Sequence, residues 1–465
     1  MNIALETPLH TLLAELVADL KRHAPYAAAL LTSSTGTHMT LDRREQSLHT
    51  PDPSQGVVFT VFTGEHFEEY ATSDLAPEHL ARAVRDWANS LALSPDQPAH
   101  PEMIASNSPS LQQFQTPCQL PLTSLSLPEK LERVRAVQQQ ALNFHPRVRN
   151  VNLSYSDQLE TKLFISPSRH MRQELARTSL FLDIIVADGP IMQHSWLSKT
   201  GTGGLEITEI SEQELAHACE TALRLLSAEK IEPGLYDVVT DPSVSGTIAH
   251  ESFGHGVELD LFPKGRARAA DYLNQRVAAP DVQLYDDPTI PGAFASYFFD
   301  DEGQLAAPTH ILQDGVFVAP LSDLMSATFT RRLRTSNGRR EDYTRKSYAR
   351  MTNTFFGAGA STPEELIADL EHGIYLRQAS SGMEDPLGWG VQVTAHYGEE
   401  IINGKPTGRL FAPVGITGYV PDLLQSISGI GNDLALDGGW CGKGQKEWLP
   451  VSSGGPHLRL KARLG

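Results

Sequence analysis

Apolar residues near the start of the chain recur at Leu9, Leu12, Leu13, Leu16, Val17 and Leu20, which is one face of a helix. Thr7-Pro8 opens it with a cap residue followed by a first-turn proline. Strand-like runs follow at 28–32 and 57–63, and a second helix carries Leu80, Val84, Trp87 and Leu91. Residues 94–126 are rich in Pro, Ser and Gln with no sustained period, which predicts an extended connection with Cys118 as an incidental thiol. A third helix runs through Leu131, Val134 and Leu142. Alternation then dominates from Val148 to about Ser198, as in Val151-Asn152-Leu153-Ser154-Tyr155. Ser211 with Glu214 three residues on is a capping box, and the helix it starts places Leu215, Cys219, Ala222 and Leu226 on one face. Cys219 is therefore expected in the core, where a free thiol packs as a small hydrophobe.

Glu232-Pro233-Gly234 punctuates the chain, and the patterning changes after it to Gly-rich, strand-like and turn-rich. This predicts an α+β protein of two units. Residues 1–233 form an N-terminal α/β domain with an antiparallel sheet and helices, and residues 234–465 a β-rich domain. No repeat of fixed period is found.

Composition narrows the function. The chain has 465 residues, enough for two or three domains, with 40% hydrophobic and 20% charged residues, so it can bury a large core. A formal charge of −18 argues against nucleic-acid or anionic-membrane binding. The first residues carry Glu6 and no basic region, unlike a secretory signal, and the most apolar stretch (179–187) is too short to span a membrane and holds Asp183. Three cysteines make no disulfide framework and suit a reducing, cytoplasmic compartment.

The chemistry gathers after the strand at 235–240. Asp241-Pro242 starts a helix containing His250, Glu251 and His255, an H-E-x-x-x-H pattern. Zincins use H-E-x-x-H because residues four apart share a helical face. Five steps leave the two rings about 140° apart on an ideal helix. A shared metal then needs local unwinding, for which a π-bulge eased by Gly254 and Gly256 is the expectation. A third ligand is also needed. Glu258, three residues past His255, and Cys441, held between glycines in GGWCGKGQ, are the candidates, and spacing does not choose between them.

The segments AHESFGH, DDEG (300–303), NGRRE (337–341), RMTNT (350–354), GNDLALDGG (431–439) and CGKGQ followed by Pro450-Val451 together resemble the TldD/PmbA family of metalloproteases, on its catalytic TldD-like branch. The resemblance implies one Zn²⁺ per catalytic chain, held by His250, His255 and Cys441, with Glu251 as general base. It implies a barrel-like catalytic domain after an N-terminal α/β domain. It also implies a homodimer or heterodimer with a related subunit, cutting short or unfolded peptides in an enclosed cavity. One departure is that Lys443-Gly444-Gln445 runs straight on where the family pattern has a residue between lysine and glycine.

Other features have plainer readings. Residues 331–350 hold eight Lys/Arg against two acids. They suggest either a solvated loop or arginines, Arg339 and Arg340, that bind a peptide carboxylate or pair with Asp300 and Asp301. The pairs Asp286-Asp287 and Asp300-Asp301 suit turns better than a divalent cation. Trp389 and Trp440 suit core packing better than a peptide groove. Two other functional readings are a non-catalytic regulatory partner of the same fold and a peptide-maturation enzyme with one dedicated substrate. The intact His250, Glu251, His255 and Cys441 set disfavours the first.

Overall fold

The computed structural model describes residues 7–91, 93, 111–443 and 448–465. Eight strands form one sheet: β1 (Tyr26–Leu41), β2 (Gln46–His49), β3 (Ser54–Phe62), β4 (Phe67–Thr72), β5 (Leu111–Gln115), β6 (Val148–Ser166), β7 (Arg169–Asp188) and β8 (Ile191–Thr202). Their order is β4-β3-β1-β6-β7-β5, with β2 beside β1 and β8 beside β7. All pairings are antiparallel except β5 on β7. Helices α1 (Thr7–His23), α2 (Pro77–Ser90), α3 (Leu127–Asn143) and α4 (Glu212–Leu225) bring their apolar faces to this sheet. Leu13, Leu16, Val17 and Leu20 of α1 are buried with Ala27, Ala29 and Leu31 of β1, each leucine contributing about 1.5–3 kcal/mol before ordering entropy is subtracted. The capping box forms, with Glu214 N donating to Ser211 Oγ at 3.2 Å and Ser211 N to Glu214 Oε2 at 2.9 Å. Cys219 is fully buried on α4, as its face predicts.

Two local expectations change. β1 extends well beyond residue 32, because β6 pairs its polar stretch throughout, with β3 on the other side as far as Ser34 and β2 from His38. The expected connection at 94–126 is part strand, since residues 111–115 form β5 on the edge of the sheet; residues 94–110 lie outside the described residues.

The second half begins with β9 (Gly234–Thr240) and α5 (Pro242–Phe253). Then come β10 (Leu284–Asp286), β11 (Thr309–Gln313), β12 (Val316–Phe317), β13 (Gly338–Arg339), β14 (Tyr348–Ala349) and β15 (Asn353–Phe356). The chain finishes with β16 (His372–Asp385), β17 (Gly390–Ile402), β18 (Lys405–Phe411), β19 (Val414–Tyr419), β20 (Gly429–Ile430), β21 (Ala435–Gly442), β22 (Trp448–Gly455) and β23 (Leu458–Leu464). Strands β16, β9, β23, β19 and β17 close into a five-stranded barrel, because β16 pairs with both β9 and β17. A six-stranded sheet in the order β12-β11-β10-β15-β22-β21 lies alongside. Helix α5 sits between the two, its Val244, Ile248, Ala249 and Phe253 buried in a core shared with Val238, Leu376, Val393 and Leu460 of the barrel. Mixed α+β architecture with a barrel carrying the histidine helix is thus the fold, as the patterning and the resemblance imply.

The basic segment 331–350 is solvated only in part: Arg331, Arg345 and Lys346 are exposed, but several of its arginines are tied inward. Arg334 pairs with Asp300 and Glu302, both at 3.4 Å. Arg340 pairs with Glu69 at 2.9 Å, and its amide donates to Asp301 Oδ2. Arg339 is held by the carbonyls of Met351 and Pro450 and packs over the Tyr297 ring. Asp286 accepts from Asn337, Thr352 and Thr354, so the acidic pairs serve internal bonding. No described helix is long and apolar enough to cross a membrane.

Candidate metal centre

Strand β9 is bonded on both sides and delivers Asp241 to the start of α5, where its carboxylate accepts from Val244 N at 2.9 Å. Gly246 then permits close seating, since a Cβ there would lie 2.3 Å from the backbone nitrogen of Gly454 on β22. The helix carries His250 and Glu251 toward β21, the edge strand that bears Cys441.

The predicted π-bulge does not form. α5 ends at Phe253, Gly254 adopts φ −94° and ψ −70°, and residues His255–Val257 continue as a 3₁₀ turn. Changing the helix type re-aims His255 as unwinding would have done, and the two imidazoles meet edge to face with centroids 5.0 Å apart. Gly254 is needed for this turn, because a Cβ would stand 2.2 Å from Met351 Sδ and 2.4 Å from His250 O.

Cys441 closes the site. Its Sγ lies 3.3 Å from His250 Nε2 and 3.1 Å from His255 Nε2, and one donor atom from each residue falls within 4.8 Å of the others. Tetrahedral zinc with ordinary Zn–N and Zn–S lengths would hold such donors about 3.5 Å apart. Two imidazoles and a thiolate also have the softness that zinc favours. Burial would raise the thiol, but His250 and His255 beside it outweigh burial and bring Cys441 down to about 4, so it stands as thiolate. The residues present fit a zinc ion.

Glu258 lies outside the donor triangle, behind the ring of His255. Its Oε2 faces His255 Nδ1 at 3.4 Å, leaving Nε2 for the cluster. Glu258 is fully buried; burial would raise it, yet Lys443, His255 and Arg350 hold it down at about 2. Lys443 Nζ reaches Glu258 Oε2 at 3.0 Å and Asp260 Oδ1 at 2.7 Å. Arg350 donates from Nη2 to Cys441 O at 2.9 Å and to its Sγ at 3.3 Å. Sequence reasoning missed these outer partners, although Arg350 and Lys443 both lie in the RMTNT and CGK segments it singled out. Gly444 and Gln445, where that segment departs from the family pattern, lie outside the described residues.

Glu251 opens on a cavity of about 670 Å³ whose walls include His250, His255, Glu384, Trp440, Cys441 and Trp448. Gly382 of β16 crosses directly over it, so close that a Cβ would be 2.5 Å from Glu251 Cγ. Burial raises its carboxyl above the ordinary range, while the two histidines pull the other way. Trp440 is half exposed on the cavity wall, contrary to the packing expectation, whereas Trp389 is buried in the core as expected.

Known proteins are similar to this chain. The PmbA/TldA metallopeptidase C-terminal domain family matches residues 233–463. A metalloprotease of Methanothermobacter thermautotrophicus is 34% identical over 316 residues, covering 67% of this chain and 68% of that one. The zinc metalloprotease TldD homolog of Saccharolobus solfataricus is 25% identical, over 72% of this chain and 75% of its own. The crystal structure of TldE from Thermococcus kodakarensis superposes with a TM-score of 0.76 at 15% identity, over 97% and 99% of the two chains, which speaks for the fold. With a clustered His₂Cys donor set on a shared architecture and a relative this near over two thirds of its length, the chain belongs to the TldD/PmbA family of metalloproteases.

Proposed function

We propose that this protein is a zinc-dependent peptidase that hydrolyses short or unfolded peptides, holding one zinc per chain through His250, His255 and Cys441. The observation that carries the reading is the donor triangle within 4.8 Å, set beside Glu251 on the wall of one cavity. Zinc bound there supplies Lewis acidity, polarising a carbonyl and acidifying water. His250 and His255 would present Nε2, and Cys441 its thiolate, as the three protein donors. Glu251 takes a proton from the attacking water at its carboxylate and returns it to the departing amine, a role worth on the order of 10²–10⁴ in rate. Gly382 restricts the Glu251 side chain from above, and Glu258 fixes the ring of His255 from behind.

The family resemblance further supports a two-subunit assembly that encloses the cavity in the cytoplasm, with a second copy or a related chain as partner. Folded domains should then resist digestion while unfolded ones are cut.

The test is metal content by mass spectrometry together with peptide cleavage, for the parent, Glu251→Gln and Cys441→Ala. About one zinc per parent chain, retained metal with lost cleavage in Glu251→Gln, and lost metal in Cys441→Ala are expected. Peptide hydrolysis persisting in Glu251→Gln refutes the assigned base. Absence of zinc in a parent purified without chelators returns the protein to a binding or regulatory role.

A further inference from the structure

One stretch of β16 breaks the regularity of its strand. Against β17, Ala379 stands opposite Ala395 but Ser381 stands opposite Thr394, so Ser380 is an extra residue and the strand carries a bulge. Gln378, at its start, adopts φ +55°, the left-handed region that a residue with a side chain rarely occupies. Such a backbone persists only where its surroundings over-determine it. Two sets of contacts do so here. From the start of α5, Asp241 Oδ2 accepts from Gln378 N at 2.9 Å and Ser243 Oγ accepts from Ala379 N at 3.1 Å. From the eight-stranded sheet, β8 takes the side chain: Gln378 Nε2 donates to Trp196 O at 3.1 Å, and Ser195 Oγ lies 3.4 Å from Gln378 Oε1. β8 also holds β17 beside the bulge, where His396 Nε2 donates to His194 O at 2.7 Å and the His396 and Trp196 rings pack with centroids 4.4 Å apart.

The bulge decides which residue faces Glu251. Side chains alternate between the two faces of a strand, so one inserted residue exchanges the faces of everything beyond it. With Ser380 inserted, Gly382 is the residue opposite Val393. Its missing side chain leaves room for Glu251, whose Cγ would lie 2.5 Å from a Cβ at 382. Absorbing Ser380 into a regular ladder would instead set Ser381 opposite Val393 and drive its hydroxymethyl group against Glu251 and Thr247. Asp241 and Ser243 hold backbone amides, which nearly any residue at 378 and 379 would offer. The amide of the Gln378 side chain is the part of the bulge that reaches β8.

We propose that Gln378 is a positioning residue: gripped by β8, it holds the bulge that registers β16 over Glu251, so that the amino-terminal sheet governs the geometry of the base. Its effect on cleavage rests on the peptidase reading above; its effect on the strand does not.

The test compares the full-length zinc-loaded protein with Gln378→Met, which keeps the bulk without the amide, and Gln378→Gly, which removes the grip but accepts the left-handed backbone without strain and so is expected to fold. Cleavage of an uncharged, internally quenched decapeptide gives kcat and KM. Chelator competition gives zinc affinity, and hydrogen exchange read by mass spectrometry gives the protection of amides 379–385. In both variants kcat should fall on the order of tenfold to a hundredfold at nearly unchanged KM. Zinc affinity should stay within twofold of the parent, and exchange should quicken at 379–385 while the rest of the barrel keeps its protection. A merely structural role would lower Tm, zinc affinity and cleavage together, and that result overturns the proposal. So does parental kcat in Gln378→Gly, or unchanged exchange at 379–385. If the parent leaves the decapeptide intact, the peptidase reading fails, and the exchange measurement still decides whether Gln378 holds the bulge.

Discussion

Replacing Gly246 by alanine tests whether backbone seating of α5 builds the metal site. A Cβ at 246 would meet Gly454 N at 2.3 Å and Gly454 Cα at 2.5 Å, whereas ordinary contact begins at 3.4 Å. Both neighbours are backbone of β22, which is bonded to β15 and β21 and cannot fold aside. The helix must retreat, and the shortfall between 3.4 and 2.3 Å is 1.1 Å. His250 is one turn further along α5, and Cys441 belongs to the strand paired with β22, so the retreat opens the gap between His250 Nε2 and Cys441 Sγ. Metal–ligand distances tolerate only about 0.2 Å. Zinc affinity should therefore fall at least tenfold. Overpacking costs about 1–3 kcal/mol, offset by about 1 kcal/mol of helix propensity gained over glycine, so net destabilisation is about 0–2 kcal/mol. Chelator competition reads the zinc dissociation constant, and thermal unfolding reads stability. Gly418→Ala is the control, because a Cβ there meets nothing within 4 Å. Zinc affinity within twofold of the parent in Gly246→Ala would refute the seating argument.

Glu258→Gln should weaken zinc binding by about 10–100-fold, because a neutral amide holds the His255 ring less firmly and leaves Lys443 and Arg350 without their shared carboxylate; parent-like affinity in chelator competition would remove Glu258 from the support of the site. Gly382→Ala should keep the metal but slow cleavage by at least tenfold, since its methyl group occupies space 2.8 Å from Glu251 Oε1; metal content and kcat measured together check this. Burial, reinforced by Asp323 and Asp300 and opposed by Arg334, pushes Glu302 up to about 8. A raised acid favours the folded state fully below its unfolded value, near 4.5, and loses that contribution as pH rises toward 8. Glu302→Gln, neutral throughout, should therefore gain in Tm relative to the parent between pH 5 and pH 8; a Tm difference independent of pH contradicts the raised carboxyl.

Local order was legible wherever neighbours in sequence decide it. The leucine face of α1, the Ser211–Glu214 box and the burial of Cys219 all follow from contacts within a turn or from helical period. The strand character of Ser33 to Thr37 was not legible, because β6, joined by β3 as far as Ser34, supplies its pairing from elsewhere in the chain. At the site, spacing posed the five-residue problem of His255 correctly but mistook its solution. The backbone can end one helix type and begin another as cheaply as it can bulge, and Met351 packing against Gly254 selects the former. Spacing alone also left Glu258 and Cys441 level, and only the tertiary placement of β21 brings Cys441, not Glu258, into the donor triangle. Gly382 could not be found at all, since its importance lies in meeting α5 across the fold.

The donor triangle also carries a consequence for synthesis. His250 and Cys441 are separated by 191 positions. At about 5–20 residues per second, a ribosome delivers the thiolate roughly 10–40 s after the first histidine. Throughout that interval the nascent chain has at most two of the three proposed metal donors, while its own unfolded segments are the kind of material the proposed peptidase would cut. On the proposed peptidase reading, placing the third donor in one of the last strands delays assembly of the active centre until the barrel around it can close, and the chain's topology would then protect it from itself during synthesis.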